Sequence, residues 1–288
     1  MLNDSIFTIH RYKINVAHLN EPIYLIPFGD VHRFSRLCHK EKWYEFLNWA
    51  KRKKNCYFLG MGDYDDLMSY SERKALNQAC FHDSTCQTID EIFLERCKKL
   101  AKELSFMNGR LIGLIEGNHF GVLENGITTT QKLCELLKTK YLGVSSFIRL
   151  TIMRGYKNYS IDIWAHHGRG ASRLVGGSLN TLQQMENIAD ADIYLMGHDH
   201  KKSAAVKSRL VLSPNGDRIG LSHKKILFAR TGSFLKGYEP EEPSYVAKGA
   251  MTPTDLGVVK IELTPKRETK KDTDCRHDYF YVDIHASI

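Results

Sequence analysis

The chain has 288 residues, 42% of them hydrophobic and 26% charged, with a formal net charge of +8. That length suits one large α/β domain with a substantial core, the composition is that of an ordinary globular protein, and no run approaches the roughly 18 apolar residues of a membrane span. The seven cysteines are odd in number and form no Cys-x-x-Cys pair, and Met1-Leu2-Asn3-Asp4-Ser5 lacks a basic-then-apolar signal, so reduced thiols in a cytoplasmic protein are expected.

In chain order, residues 1–20 are a mixed lead-in with room for one edge strand. An apolar run, Ile23–Phe28, then enters Gly29-Asp30-Val31-His32. Residues 43–54 have helical spacing (Trp43, Phe46, Leu47, Ala50) and end in Lys51-Arg52-Lys53-Lys54, cations that suit the negative end of a helix dipole. That basic run is expected to be a solvated helix end rather than a nucleic-acid patch. The run 56–59 enters Gly62-Asp63, and residues 67–104 are expected to be helical in two pieces, the second from Thr88. The run 111–115 enters Gly117-Asn118-His119, and residues 130–140 form a further helix with Leu133, Leu136 and Leu137 on one face. Two more runs, 161–165 and Ile193–Met196, enter His166-His167-Gly168 and Gly197-His198-Asp199-His200. Beyond His200, strand-like runs at 210–212, 226–229 and 256–263 suggest a second sheet. Residues 265–274 are expected to be a charged linker, separating a domain over 1–264 from a short terminal strand or arm within 265–288.

Five apolar runs thus end in residue types that bind metals. An apolar run bounded by glycine reads as a buried strand, and ligands of open α/β sheets gather outside the carboxyl ends of strands. Imidazole nitrogen with carboxylate or amide oxygen is the donor set of metals that activate water. Any one block alone would be an ordinary turn, since glycine, asparagine and aspartate favour turns. Five in order are not. A two-metal centre needs a shared ligand to span roughly 3.5–4 Å, and Asp63 suits that bridge between Asp30, His32 and His200 on one side and Asn118, His166 and His198 on the other.

The ordered set Asp-x-His, Gly-Asp, Gly-Asn-His, His and Gly-His-x-His resembles the calcineurin-like metallophosphoesterase superfamily across about residues 22–202. The resemblance implies a four-layer αββα sandwich of two mixed sheets flanked by helices, with a dinuclear site at the strand ends. It places one metal on Asp30, His32, Asp63 and His200 and the other on Asp63, Asn118, His166 and His198. Between the adjacent His166 and His167, the spacing to the following glycine selects His166, with strand register left open. His119 would contact the phosphate and protonate the leaving oxygen, Asp66 would orient it, and the turn Thr231-Gly232-Ser233 resembles a Gly-Ser turn of many relatives. The metals implied are manganese, with iron, zinc or nickel as alternatives.

Two departures, Leu67 where the protein phosphatases carry arginine and Arg33 where they carry glycine, turn the expectation away from phosphoprotein substrates. The glycine-rich segment after His167 carries Arg169 and Arg173, which are candidates for substrate phosphate. Net positive charge favours polyanions. The expected activity is a phosphodiesterase on nucleic acid or nucleotides through a two-metal activated hydroxide. A phosphomonoesterase on a small metabolite and a non-catalytic scaffold of the same fold are the alternatives.

Overall fold

Among the described residues eleven strands form two sheets, and their residues explain where each sheet lies. The computed structural model describes residues 8–79, 81–170, 172, 174–215, 218–240, 244–271 and 276–288. Strands β1 (Ile9–Asn15), β5 (Ser145–Arg154), β6 (Lys157–His166), β7 (Ile193–Met196), β8 (Lys202–Asn215) and β9 (Arg218–Thr231) form one mixed sheet in the order β1-β5-β6-β7-β9-β8. Strands β2 (Ile23–Phe28), β3 (Cys56–Gly60), β4 (Leu111–Leu114), β10 (Lys260–Lys271) and β11 (Arg276–Ser287) form the other, in the order β11-β10-β2-β3-β4. β2, β3 and β4 are parallel, as are β6, β7 and β9, so both groups end in the direction that the metal-type blocks require.

The short parallel strands are buried along nearly their whole length, as strands covered on both faces must be. One cluster of buried side chains draws on both sheets, with Leu25, Leu59 and Ile261 from one and Ile148, Ile163, Ile193 and Leu227 from the other. The other face of β2–β4 packs against helices α1 (Lys40–Arg52), α3 (Asp83–Leu104) and α4 (Thr129–Leu137) around Trp43, Phe58, Leu100 and Leu133. The other face of the six-stranded sheet packs Trp164, Tyr194 and Phe228 against Leu182 of α5 (Val175–Gln183).

Helix ends follow local chemistry. α2 (Tyr70–Gln78) and α4 each begin at a reciprocal capping box, Ser69 with Glu72 and Thr128 with Gln131. α3 starts at Asp83, earlier than the expected Thr88, which extends the helix towards its acidic end without changing its buried face. Two expectations about the C-terminal third are corrected. The strands after His200 do not form a sheet of their own: β8 and β9 extend the sheet of β7, whereas β10 crosses to pair β2. Residues 265–271 are not linker but continue β10, whose pairing with β11 runs from Lys260↔Ser287 to Lys271↔Arg276. Burial alternates along β10 only from Ile261 to Pro265, and Arg267 and Glu268 beyond are exposed, so charge content alone conceals the pairing with β11.

Trp43 has no exposed surface, packs edge-on to Phe234 at 5.0 Å and donates its indole N–H to Glu103 at 2.8 Å. Trp43→Ala should therefore lower unfolding free energy by about 3–5 kcal/mol, and Trp43→Phe by clearly less. Urea denaturation of the two variants checks this, and a loss below about 1 kcal/mol for alanine would show that the cluster does not anchor α1.

Candidate metal centre

The site assembles at the carboxyl ends of five strands. β2 leads to Asp30 and His32, β3 to Asp63, β4 to Asn118 and His119, β6 to His167, and β7 to His198 and His200. Each block turns sharply as it leaves its sheet. Asp30, His32, Asp63, His198 and His200 all hold φ between 46° and 72°, the left-handed region that L-residues avoid. Glycine makes room at two approaches. A Cβ on Gly117 would lie 2.0 Å from Asp63 Oδ1, and one on Gly197 would lie 2.6 Å from Asp30 Oδ2.

Two buried carboxylates organise the turns. Asp63 Oδ1 accepts the backbone N–H groups of Asn118 at 2.6 Å and His119 at 2.8 Å. Its Oδ2 lies 3.3 Å from His167 Nε2 and 3.8 Å from His32 Nε2. Asp30 Oδ2 accepts the N–H of His198 at 2.9 Å, while its Oδ1 lies 3.5 Å from His200 Nε2. Asn118 Nδ2 and His198 Nδ1 are 2.9 Å apart. Three groups can each offer ligand atoms to one ion: Asp30, His32 and His200; Asp63, His167 and His198; and His32, Asp66 and His119.

Three buried polar atoms in this cluster have no hydrogen-bond partner: Asp30 Oδ1, His32 Nε2 and His167 Nε2. The far nitrogens of both rings are anchored, His32 Nδ1 by Asp66 Oδ1 at 3.0 Å and His167 Nδ1 by the Met61 carbonyl at 2.7 Å. Donation from Nδ1 leaves the lone pair on Nε2, the tautomer and second partner that metal-binding histidines use. An unpartnered buried nitrogen costs stability unless something is bound to it. The donor set therefore fits divalent metal ions.

The adjacent histidines are resolved by strand geometry. Side chains alternate across β6, so Ala165 and His167 share the face that looks into the joint core, whereas His166 lies on the face of Trp164. His166 Nδ1 accepts the Gly168 N–H at 2.8 Å instead of facing the carboxylates. The group that could hold an ion beside Asp63 thus contains His167 where the sequence led us to expect His166. Electrostatics separate the pair as well. Burial would lower the His167 pKa, but the Asp63 carboxylate outweighs it and raises it to about 9. Burial, followed by the nearby positive His167 and Arg169, lowers His166 to about 4.

Asp66 stands between His32 and His119, its Oδ1 3.0 Å from one Nδ1 and 3.4 Å from the other, so it orients His32 more closely than His119. Ser233 of the expected turn donates its hydroxyl to the Asp30 carbonyl at 2.9 Å. Arg33 is turned away from the site and forks onto Glu103. Arg169 is exposed and does not line the cleft, and Arg173 lies outside the described residues. Two positioning residues escaped the sequence reading. Arg230, almost fully buried, donates to the Gly197 carbonyl at 3.0 Å and to the Ser178 carbonyl at 2.8 Å, fixing the turn that bears His198. Arg73 donates to the Asn118 carbonyl at 2.7 Å and lies over the Phe120 ring. Neither carries a motif, because both act on backbone carbonyls.

A cleft of about 480 Å³ opens over Asp63, Asp66, His119, His198 and His200. Leu37, Leu235, Val246, Met251 and Pro253 give it an apolar wall, and Lys201 and Lys202 line it as well. Both lysines are engaged, Lys201 with the Ser172 carbonyl and Lys202 with Asp255 at 3.1 Å.

His166→Ala should keep divalent-metal affinity close to that of the unaltered chain. His167→Ala should lower it by at least the roughly 10–100-fold that loss of an outer partner costs. Titration calorimetry with manganese and zinc distinguishes them, and equal losses would sink the assignment. The His167 proton also sets a pH dependence. Its folded pKa of about 9 lies above the ordinary 6.5, so it stabilises metal-stripped protein at and below pH 6.5 and that contribution is lost as pH rises towards 9. Unfolding in chelator should show that decline, His167→Gln should remove it, and metal affinity should climb across the same window as the proton is displaced.

No protein-family model matches this chain, and no curated protein matches it.

Proposed function

We propose that the chain is a metal-dependent hydrolase of phosphate esters, a four-layer αββα protein similar to calcineurin-like metallophosphoesterases, with two divalent ions, manganese foremost, as cofactors. The observation that carries this reading is three buried atoms without a hydrogen bond, Asp30 Oδ1 facing His200, and His32 Nε2 and His167 Nε2 facing Asp63. Asp30, His32, Asp63 and His200 would hold one ion, and Asp63, Asn118, His167 and His198 the other. Bound there, such ions lower the pKa of a coordinated water towards neutrality and draw charge from phosphoryl oxygens.

The chain's own residues supply the rest. His119 lines the cleft and is half-buried, with Asp66 beside its Nδ1. It would give a proton to the departing alkoxide oxygen, the step in which a poor leaving group most needs help. Burial lowers its pKa, but a phosphate anion brought beside the ring favours the imidazolium that can donate. Asp66 would hold both the donor and His32 in register. The apolar wall would shed water from the ester's leaving group.

The cleft favours a diester over a monoester. A monoester brings two negative charges near neutrality and a diester one. Among the described residues no arginine lines the cleft, and its two lysines already have partners. The volume suits a nucleotide-sized ligand. The test is hydrolysis of bis-p-nitrophenyl phosphate against p-nitrophenyl phosphate by manganese-loaded protein. The diester is expected to turn over faster. His119→Ala should cut turnover by about 10²–10⁴-fold on poor leaving groups and less on good ones, with metal content unchanged. Metal-loaded protein inert to both esters would overturn the reading.

A further inference from the structure

The lysine run at the end of α1 does not stand alone. Arg110, just before β4, donates to the Lys53 carbonyl at 2.9 Å, which places its guanidinium at the end of α1. Tyr12 of β1 donates its hydroxyl to the Gly109 carbonyl at 2.6 Å and meets Tyr57 edge-on, bringing the edge strand of one sheet against the start of β4 in the other. Lys140, after α4, donates to the Arg11 carbonyl at 3.0 Å, and Lys138 lies two residues before it at the left-handed helix end. Main-chain contacts thus bring together the segments that bear Arg11, Lys53, Arg110, Lys138 and Lys140, and Lys260 lies over the ring of Tyr24, whose strand β2 pairs with β3.

Among the described residues, none of these six cations forms an ion pair. The groups embedded beneath them feel the same imbalance. Beyond burial, Cys56 is acted on by Arg110, Lys53 and Lys260, and His10 by Lys140, with no carboxylate acting on either. By contrast, Lys207 and Arg209 on β8 are both paired with Glu186. Like charges left within a Debye length of about 8 Å repel one another unless an anion covers them. None of the six lines the metal cleft, and Lys53 and Arg110 stand where β3 and β4 begin, away from the ends that carry Asp63 and Asn118.

We propose that this surface, formed by β1, the end of α1 and the starts of β3 and β4, binds the sugar–phosphate backbone of a nucleic acid. Protein interfaces carry an apolar centre, and stable anchoring on a membrane takes a second signal, a lipid chain or an inserted apolar face, beside the cations. This surface presents cations around the half-buried Tyr12 and Tyr57, the chemistry of phosphate contact without base reading. The assignment is independent of metal and of the hydrolytic reading.

The test uses the full chain in chelator with a fluorescein-labelled DNA duplex, read by anisotropy between roughly 50 and 200 mM KCl. Arg11→Glu, Lys53→Glu and Lys140→Glu together should weaken binding at least about tenfold. They should also flatten the log–log salt slope by about 0.9 for each phosphate that is no longer neutralised. The same charge change placed at the exposed Lys40, Lys74 and Lys98 should leave the slope nearly unchanged. Circular dichroism confirms folding of both variants, and should the first triple fail to fold, Lys53→Gln with Lys140→Gln gives the same comparison with a smaller loss. Equal weakening by the two triples would reduce the effect to net charge and overturn the proposal. Binding of poly-glutamate or anionic vesicles as tight as that of DNA at equal salt would overturn the choice of nucleic acid.

Discussion

Asp63 is the tie on which the centre depends, because one buried residue holds three other segments at once. Its Oδ1 gathers the N–H groups of Asn118 and His119, its Oδ2 faces His32 and His167, and its own carbonyl accepts the N–H of Val31 at 2.8 Å. Asp30 works in the same way one strand away. Its side chain holds the His198 N–H, and its carbonyl takes the Ser233 hydroxyl and the Phe234 N–H. Buried carboxylates are tolerated when enough donors converge on them, and here the donors are mainly backbone groups that cannot move without moving a strand. Ligand placement and chain path are therefore one problem with one solution.

That solution costs conformational energy. Of nine non-glycine residues with positive φ among those described, five are Asp30, His32, Asp63, His198 and His200. Each such residue costs of order 1–3 kcal/mol and persists only where its surroundings over-determine it. The determining parts are visible: strands buried on both faces behind the turns, the Arg230 guanidinium locked on the Gly197 carbonyl, and Arg73 on the Asn118 carbonyl. A preorganised set of donors is the return on that strain, since an arriving ion meets rings already oriented.

Much of this was legible in the sequence, and the limits have physical causes. The five apolar runs became five strands, and Asp30, His32, Asp63, Asn118, His198 and His200 do converge, because glycine-bounded apolar runs and metal-binding residue types are both local signals. The choice between His166 and His167 was not local. It turns on which face of β6 looks inward, and a one-residue shift exchanges the faces. The strand in 265–271 was hidden because Lys266, Arg267 and Glu268 look like linker until the pairing with β11 gives each a solvated side of a ribbon. Arg230 and Arg73 were invisible for a different reason: what they bind is carbonyl oxygen, which every residue has.

The pairing of β10 with β2 has a consequence in time. Leu25 finds its partner in Ile261, so the central strand of the five-stranded sheet lacks one neighbour until Ile261 has left the ribosome. By then every residue from Asp30 to His200 has already emerged, with its acids and imidazoles free to meet metal before the sheet that aims them is closed. Contacts so distant in sequence form late, and the open edge of β2 is exposed to wrong pairing while it waits. Closure of the sheet that aims these side chains thus waits on a strand that follows all of them in the chain.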